Sequence, residues 1–262
     1  MQPPSTTTGR SGKYNEVFYK CQCKGSVRSA QRIVPHVVQL TGCRSVLDVG
    51  CGVGTWARTF IEQGVSDVVG VDFHEESGQL VIPPALFRKM DLHRPIDLGR
   101  TFDLVVCLEV AEHLEKEFAD VLVDSLVRHG PMILFGAAAP GQGGWSHKNE
   151  QWPEYWAARF RARGLVALDC IRPQFWEDRE VDYWYSQNTV LYVRREELER
   201  RPALASAAAW PGEPVKAMRH PRRLKCIFTE GVPTLLAAIR AGVAGAIRAG
   251  AQRLLVRPHR VP

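Results

Sequence analysis

Val46-Leu47-Asp48-Val49-Gly50-Cys51-Gly52-Val53-Gly54-Thr55 decides how the chain folds. An apolar run ends in three glycines at alternate positions, and Trp56-Ala57-Arg58-Thr59-Phe60-Ile61 continues as a helix. Glycine lets the backbone turn tightly and lets a ligand come where a Cβ would stand. The helix start that follows presents unpaired N–H groups to an anionic group. The spacing departs from the dinucleotide fingerprint, whose third glycine lies three residues after its second. Here that position is Thr55, and the glycine comes one residue earlier, at Gly54.

Reading outward, Val68-Val69-Gly70-Val71-Asp72 is a second buried strand ending in a carboxylate 18 residues after Gly54. An acid at that tip can accept both hydrogen bonds of a ribose diol, so Asp72 is the expected ribose ligand. Leu86–Asp91 reads as a third strand and Thr101–Cys107 as a fourth, which runs into Leu108-Glu109-Val110-Ala111-Glu112-His113-Leu114. Beyond it come a helix near 115–129, a strand Met132–Phe135, a helix near 153–163, and strands Leu165–Leu168 and Thr189–Val193. Strands alternating with helices imply an α/β fold whose parallel sheet is covered on both faces.

The D-x-G-x-G-x-G run from Asp48 to Gly54, with an acid at the second strand tip, resembles motif I of the class I S-adenosylmethionine (SAM) methyltransferases. Glu109 to Leu114 resembles the E-x-x-E-H-L stretch that follows strand four there. The resemblance implies a Rossmann-like, seven-stranded, mostly parallel sheet with helices on both faces and the seventh strand antiparallel. It also implies a loop that cradles the methionine end of SAM. The cofactor set would be Asp48, Gly50, Cys51, Gly52, Gly54, Asp72, Phe73, Asp91, Leu92 and Glu109, with Asp91 near the adenine amino group. In the ubiquinone-pathway O-methyltransferases this E-x-x-E-H motif binds a divalent ion. By position the magnesium ligands here would be Glu109, Glu112 and His113, although many relatives with the same letters use no metal. Further on, Ser146-His147-Lys148-Asn149-Glu150-Gln151-Trp152-Pro153 resembles a branch carrying G-H-x-N-E-Q-W-P, with Ser146 in place of the glycine. That branch is associated with sugar and secondary-metabolite tailoring.

Ligands of open α/β sheets lie beyond the carboxyl ends of the strands, so acceptor choice is expected between strands five and seven. Five of the seven tryptophans (145, 152, 156, 176 and 184) fall there. Trp145, Asn149, Trp152 and Trp176 are the expected acceptor contacts, since flat rings with polar edges suit a ring-bearing, hydroxylated molecule. Trp156 and Trp184 read as core. Methyl transfer is an in-line displacement, and a hydroxyl nucleophile gains from a base. His147 is the expected base; the alternative is that it orders its own loop by hydrogen bonds. His113 is the second catalytic candidate, against a role in fixing the turn after strand four. The expected function is SAM-dependent O-methylation of a small hydroxylated molecule. The alternatives are an RNA methyltransferase recruited by a basic tail, a small-molecule N-methyltransferase, or a non-catalytic binding module.

The 262 residues, 45% hydrophobic and 24% charged, suffice for one large α/β core and an appendage. No apolar run reaches bilayer length, and MQPPSTTTGR has no signal-peptide core. Seven cysteines form no disulfide framework or zinc spacing, Cys21-Gln22-Cys23 included, which fits reduced thiols in a cytoplasm. The expected division is a flexible segment 1–25, a methyltransferase domain 26–200, and a basic, partly helical extension 201–262. Near the start of the domain Val27, Ala30, Ile33, Val34, Val37 and Val38 form a helical stripe that Pro35 interrupts. From Arg201 onward there are 11 Lys/Arg against 2 Asp/Glu, so the chain's net charge of +6 belongs to the tail. Leu235, Ile239, Val243 and Ile247 give that tail an amphipathic helical stretch. Its expected partner is the enzyme itself or a second subunit, then an anionic membrane surface. Nucleic acid ranks last, because aromatics are sparse where the charge is densest.

Overall fold

A computed structural model of the protein describes residues 11–73, 80–207 and 215–222, with side chains from Gly25 onward. The chain divides into two compact units, Met1–Met218 and Arg219–Pro262. The described elements of the first are α1 (Ser11–Thr41), β1 (Ser45–Val49), α2 (Thr55–Glu62), β2 (Asp67–Asp72), β3 (Phe87–Lys89), β4 (Leu104–Leu108) and α3 (Ala119–His129). They continue as β5 (Met132–Gly136), α4 (Pro153–Ala162), β6 (Leu165–Leu168), α5 (Arg172–Phe175), α6 (Tyr183–Asn188), β7 (Val190–Arg194), α7 (Arg195–Arg200) and α8 (Pro202–Ala207). Of the second unit only residues 219–222 are described, and there the Arg222 N–H donates to the His220 ring over 3.1 Å. The amphipathic stretch Leu235–Ile247 and the side chains of Cys21 and Cys23 lie outside the described residues.

The seven strands form one sheet in the order β3-β2-β1-β4-β5-β7-β6. The pairs β1–β2, β2–β3, β1–β4 and β4–β5 are parallel. β7 runs antiparallel to both of its neighbours, β5 and β6. From β1 the chain turns one way to β2 and β3, then crosses to the other side for β4. The crevice of an open sheet forms at this kind of reversal, beyond the carboxyl ends of β1 and β4.

Alternation along the buried strands builds two cores. In β4, Leu104, Val106 and Leu108 face one side and Val105 and Cys107 the other. The first side is covered by α1 (Ala30, Ile33, Val34, Val37), α2 (Trp56, Ala57, Phe60) and α8 (Leu204). The second is covered by α3 (Leu122, Val123, Leu126) and α4 (Trp156, Ala157, Phe160). Strands buried on both faces read as continuous apolar runs, and that made them visible in the sequence.

Four boundaries differ from the sequence reading. α1 runs through Pro35 without a break, and the expected limit at residue 25 falls inside it. Proline in a helix interior costs about 3 kcal/mol. Ile33, Val34 and Val37 are fully buried around it and outweigh that penalty, since a buried Val or Ile side chain gains about 1.5–3 kcal/mol. The third strand is shorter than expected, Phe87–Lys89, and the fourth begins at Leu104 rather than Thr101. The domain also extends past residue 200. Leu204 is fully buried in the first core and Val215 almost so in the second, and the Arg201 guanidinium donates to the Thr41 carbonyl at 2.6 Å. Among the described residues no helix is long and apolar enough to cross a membrane.

Candidate cofactor and acceptor site

The glycine loop joins β1 to α2, and its three glycines all have left-handed φ: 74° at Gly50, 54° at Gly52 and 90° at Gly54. They differ in what surrounds them. A Cβ on Gly50 would overlap the Val110 side chain, and one on Gly54 would lie 2.8 Å from Ile82. A Cβ on Gly52 would meet nothing within 4 Å. Gly50 and Gly54 are therefore glycines because protein packs against them, and Gly52 alone of the three turns a bare face to open space. The loop is tied to β2 by the N–H groups of Gly50 and Cys51, which donate to the Val71 carbonyl over 2.8 and 3.1 Å. The Gly52 N–H donates to the Asp72 carboxylate over 2.8 Å. Asp72 thus stands at the tip of β2 against the open glycine, as the sequence placed it.

Asp48 is buried, and its carboxylate accepts the Ala57 N–H over 3.1 Å. α2 begins at Gly54 with no side-chain cap of its own, so Asp48 supplies the cap from the preceding strand. Burial pushes its carboxyl up to about 7, against the pull of the Ala57 hydrogen bond. Cys51 is buried, and burial first, then Asp48, push its thiol far above the ordinary range, which makes it an inert packing group. Asp91 is held below the ordinary carboxylate range by the His93 backbone N–H at 3.0 Å, then by the His93 ring at 2.9 Å. Leu92 packs into the second core and so leaves only its backbone for a ligand, whereas the Phe73 ring beside Asp72 is half exposed.

Beyond β4 the backbone is strained. Glu109 has φ 57°, a left-handed conformation unusual for a side chain of this size. Its carboxylate accepts Gln142 Nε2 on one oxygen and Asn188 Nδ2 on the other, both over 2.9 Å. Gln187 extends this amide cluster by donating to Gln142 at 3.2 Å and to Asn188 at 3.0 Å. Further along the same loop the Glu112 side chain is almost fully buried. Burial first, and the Glu109 charge second, push the Glu112 carboxyl well above its ordinary range. Glu109 is also pushed up by burial, and its two amide donors oppose the shift.

The loop after β5 closes over this turn. The N–H groups of Lys148 and Asn149 both donate to the Glu112 carbonyl, over 2.7 and 3.1 Å. That brings His147 edge-on to His113, with ring centroids 5.0 Å apart. Ligand atoms of Glu112, His113 and His147 all lie within 4.8 Å of one another. Glu109 is not part of this cluster; its oxygens accept the Gln142 and Asn188 amides. The His113 imidazole is held below its ordinary range, first by lost solvation and then by His147.

Ser146 has φ 59°, at the position where the resembled branch carries glycine. A non-glycine residue there costs roughly 1–2 kcal/mol. Ser146→Gly is therefore expected to raise stability by about 1 kcal/mol in urea unfolding, partly offset by glycine's greater unfolded-state freedom. An unchanged or lower midpoint would count against strain at this residue.

The expected acceptor contacts separate. Trp145 stands 79% exposed on the loop beside His147. Asn149 is buried, with its carbonyl oxygen accepting Gln151 Nε2 at 2.9 Å. Trp152 is partly buried and precedes α4 directly. Trp176 follows α5, whose Phe175 packs on the α1 side of the sheet, and Trp156 is core on the opposite side. The sequence reading missed Gln142, Gln187, Asn188 and Glu150 as working residues. The signal for Glu150 was present in its spacing of three from His147.

Residues 25–129 match the model of a family described as a methyltransferase domain. Among curated proteins the chain is similar to the ubiquinone biosynthesis O-methyltransferase of Neisseria meningitidis, 33% identical over 102 residues, or 35% of this chain and 43% of that protein. The chain thus aligns with less than half the length of that relative. Among solved structures it is similar to the sugar N-methyltransferase KedS8 from a Streptoalloteichus species, at 18% identity and a TM-score of 0.53, covering 74% of this chain and 98% of that one. It is also similar to SAM-bound CalS10, an amino pentose methyltransferase from Micromonospora echinaspora, at 16% identity and a TM-score of 0.53, covering 72% and 100%. Such low identities bear on the fold. Residues 25–129 are thus similar to a methyltransferase-domain family, and the seven-stranded sheet has the fold of these solved structures.

Proposed function

We propose that this protein is a SAM-dependent methyltransferase that methylates a hydroxyl group of a small molecule. The observation that carries the reading is the open face of Gly52, bonded to Asp72 at the crevice between β1 and β4. These residues fit SAM: the glycine leaves room where a Cβ would intrude, and the Asp72 carboxylate can accept from a ribose diol. Bound SAM would supply a methyl group on a positively charged sulfur, a leaving group that needs no protonation. The chain must then position the acceptor and take up its proton. His147 is suited to the proton, because a carboxylate on Nδ1 fixes the tautomer with a lone pair on Nε2. The small-molecule class is supported by the names of the relatives, which cover ubiquinone biosynthesis and sugars.

The grouping of Glu112, His113 and His147 favours a second reading of the same chemistry. A divalent ion would fit a buried carboxylate and two imidazoles, one of them backed by a carboxylate as metal-bound histidines commonly are. The ion would supply a positive charge for the acceptor oxygen, and His147 would hold it rather than take the proton.

Calorimetric titration of the full chain with SAM and with S-adenosylhomocysteine, in EDTA and in magnesium, tests both. Micromolar binding of either ligand is the expected result, and no binding of both would overturn the cofactor reading. Heat from magnesium added alone, lost in Glu112→Gln, would favour the ion; its absence would leave His147 as the base.

A further inference from the structure

We propose that Glu150 is the positioning residue of the acceptor site, locking the glycine-rich loop after β5 and the His147 ring into one unit. The proposal rests on the reading of His147 as a working residue of that site. Glu150 receives three donors. Its Oε2 accepts the Gly141 N–H over 2.6 Å, and its Oε1 accepts both the Gly143 N–H over 2.7 Å and His147 Nδ1 over 2.8 Å. Gly141 and Gly143 both have left-handed φ, 73° and 71°, which is how two N–H groups of one short loop come to aim at a single carboxylate. The loop is built around this side chain, which is 19% exposed.

The arrangement has a consequence for the histidine. An ionised carboxylate can only accept, so Nδ1 must carry the proton and Nε2 the lone pair. The far side of the loop is held independently, by the Lys148 and Asn149 N–H groups on the Glu112 carbonyl. His147 is thus fixed from both sides in the chain, and Glu150 fixes which ring nitrogen carries the lone pair. A misplacement of about 1 Å at a reacting group can cost about 100-fold in rate, so this is where the loop's order becomes chemistry.

Glu150→Gln and Glu150→Ala together separate positioning from folding. A glutamine carbonyl at the Oε1 place keeps the Gly143 and His147 donors, and its amide nitrogen then faces the Gly141 N–H, which loses its acceptor; Glu150→Ala removes the acceptor of all three. The measurement is nitrogen-15 NMR of the full chain labelled at histidine, with and without S-adenosylhomocysteine, with the His147 signals assigned from His147→Gln. The expected result is Nδ1-protonated His147 in the wild type and in Glu150→Gln, and loss of that preference in Glu150→Ala. Amide exchange at Gly141 and Gly143 should be slow in the wild type, at least about tenfold faster at both in Glu150→Ala, and faster at Gly141 alone in Glu150→Gln. A wild-type His147 with the proton on Nε2, or fast-exchanging glycine amides, would overturn the proposal without any need for a variant that folds. An unchanged tautomer in a folded Glu150→Ala would do the same. Affinity for S-adenosylhomocysteine is read separately: its absence in the wild type sinks the methyltransferase reading, and a wild-type affinity in Glu150→Ala with an altered tautomer supports positioning alone.

Discussion

Gly52→Ala is expected to weaken SAM binding by at least about tenfold, about 1.4 kcal/mol, while Gly50→Ala is expected to cost stability instead. Both glycines have left-handed φ, so either alanine carries a backbone penalty of roughly 1–2 kcal/mol. What else happens depends on what each Cβ meets. At Gly50 it overlaps Val110, a residue of the second core, and overpacking of this kind adds typically about 1–3 kcal/mol. At Gly52 it meets no protein atom, and the volume it fills is the one the cofactor needs. Urea unfolding and calorimetry on the two variants therefore should give opposite rankings. Gly50→Ala should unfold at the lower urea concentration, and Gly52→Ala should bind the more weakly. Wild-type affinity in Gly52→Ala would remove the open face from the cofactor site. An equal loss of stability in both would mean that backbone strain, not side-chain space, distinguishes these glycines from other residues.

The two glycines also show what was legible in the sequence. Alternate glycines after an apolar run give a tight turn at the end of a strand, because the turn needs the positive φ at Gly50, Gly52 and Gly54 that other residues resist. Strands were legible because both faces of the sheet are buried, so Leu104–Leu108 or Met132–Gly136 has to be apolar throughout. Pairings across long separations were not. Asn188 and Gln142 reach Glu109 from 79 and 33 residues away, and nothing local to a glutamine or asparagine says that a strained carboxylate will lie opposite it. Position within the E-x-x-E-H motif predicted one ligand set for Glu109, but the carboxylate's orientation is decided by those distant amides. Composition misled at the domain's end. Charge changes sign at Arg201, yet burial does not stop there, because Leu204 and Val215 still complete the two cores. Charge patterning reports what a segment can attract, and apolar burial decides what it belongs to.

Asp48→Asn is expected to make the protein more stable at pH 8 and to change it little at pH 4. Asp48 lies beneath the glycine loop, and burial raises its carboxyl from an ordinary 3.8 to about 7 in the folded chain. Between those values the folded chain holds a proton that the unfolded chain has released. Stability falls with rising pH wherever the folded state binds more protons, so this group's contribution worsens from about pH 4 to about pH 7 and is constant above that. Once Asp48 is fully ionised, the loss is on the order of 4 kcal/mol. Asparagine stays neutral over the whole range, and its side-chain oxygen can still accept the Ala57 N–H that caps α2. Other carboxylates also move the stability of the chain with pH, so the quantity that isolates Asp48 is the difference between the two proteins. Urea midpoints measured at pH 4, 6 and 8 should show that difference opening in favour of Asp48→Asn, most steeply between pH 5 and 7. A difference that is flat with pH would mean that Asp48 ionises in the folded chain as it does in water. Ionised Asp48 would place a negative charge beneath the glycine loop, beside that of Asp72, where a cationic cofactor would meet both. The same variant should therefore bind SAM less tightly at pH 8 than the wild type does, and as tightly at pH 5, where the wild-type Asp48 is itself protonated and neutral.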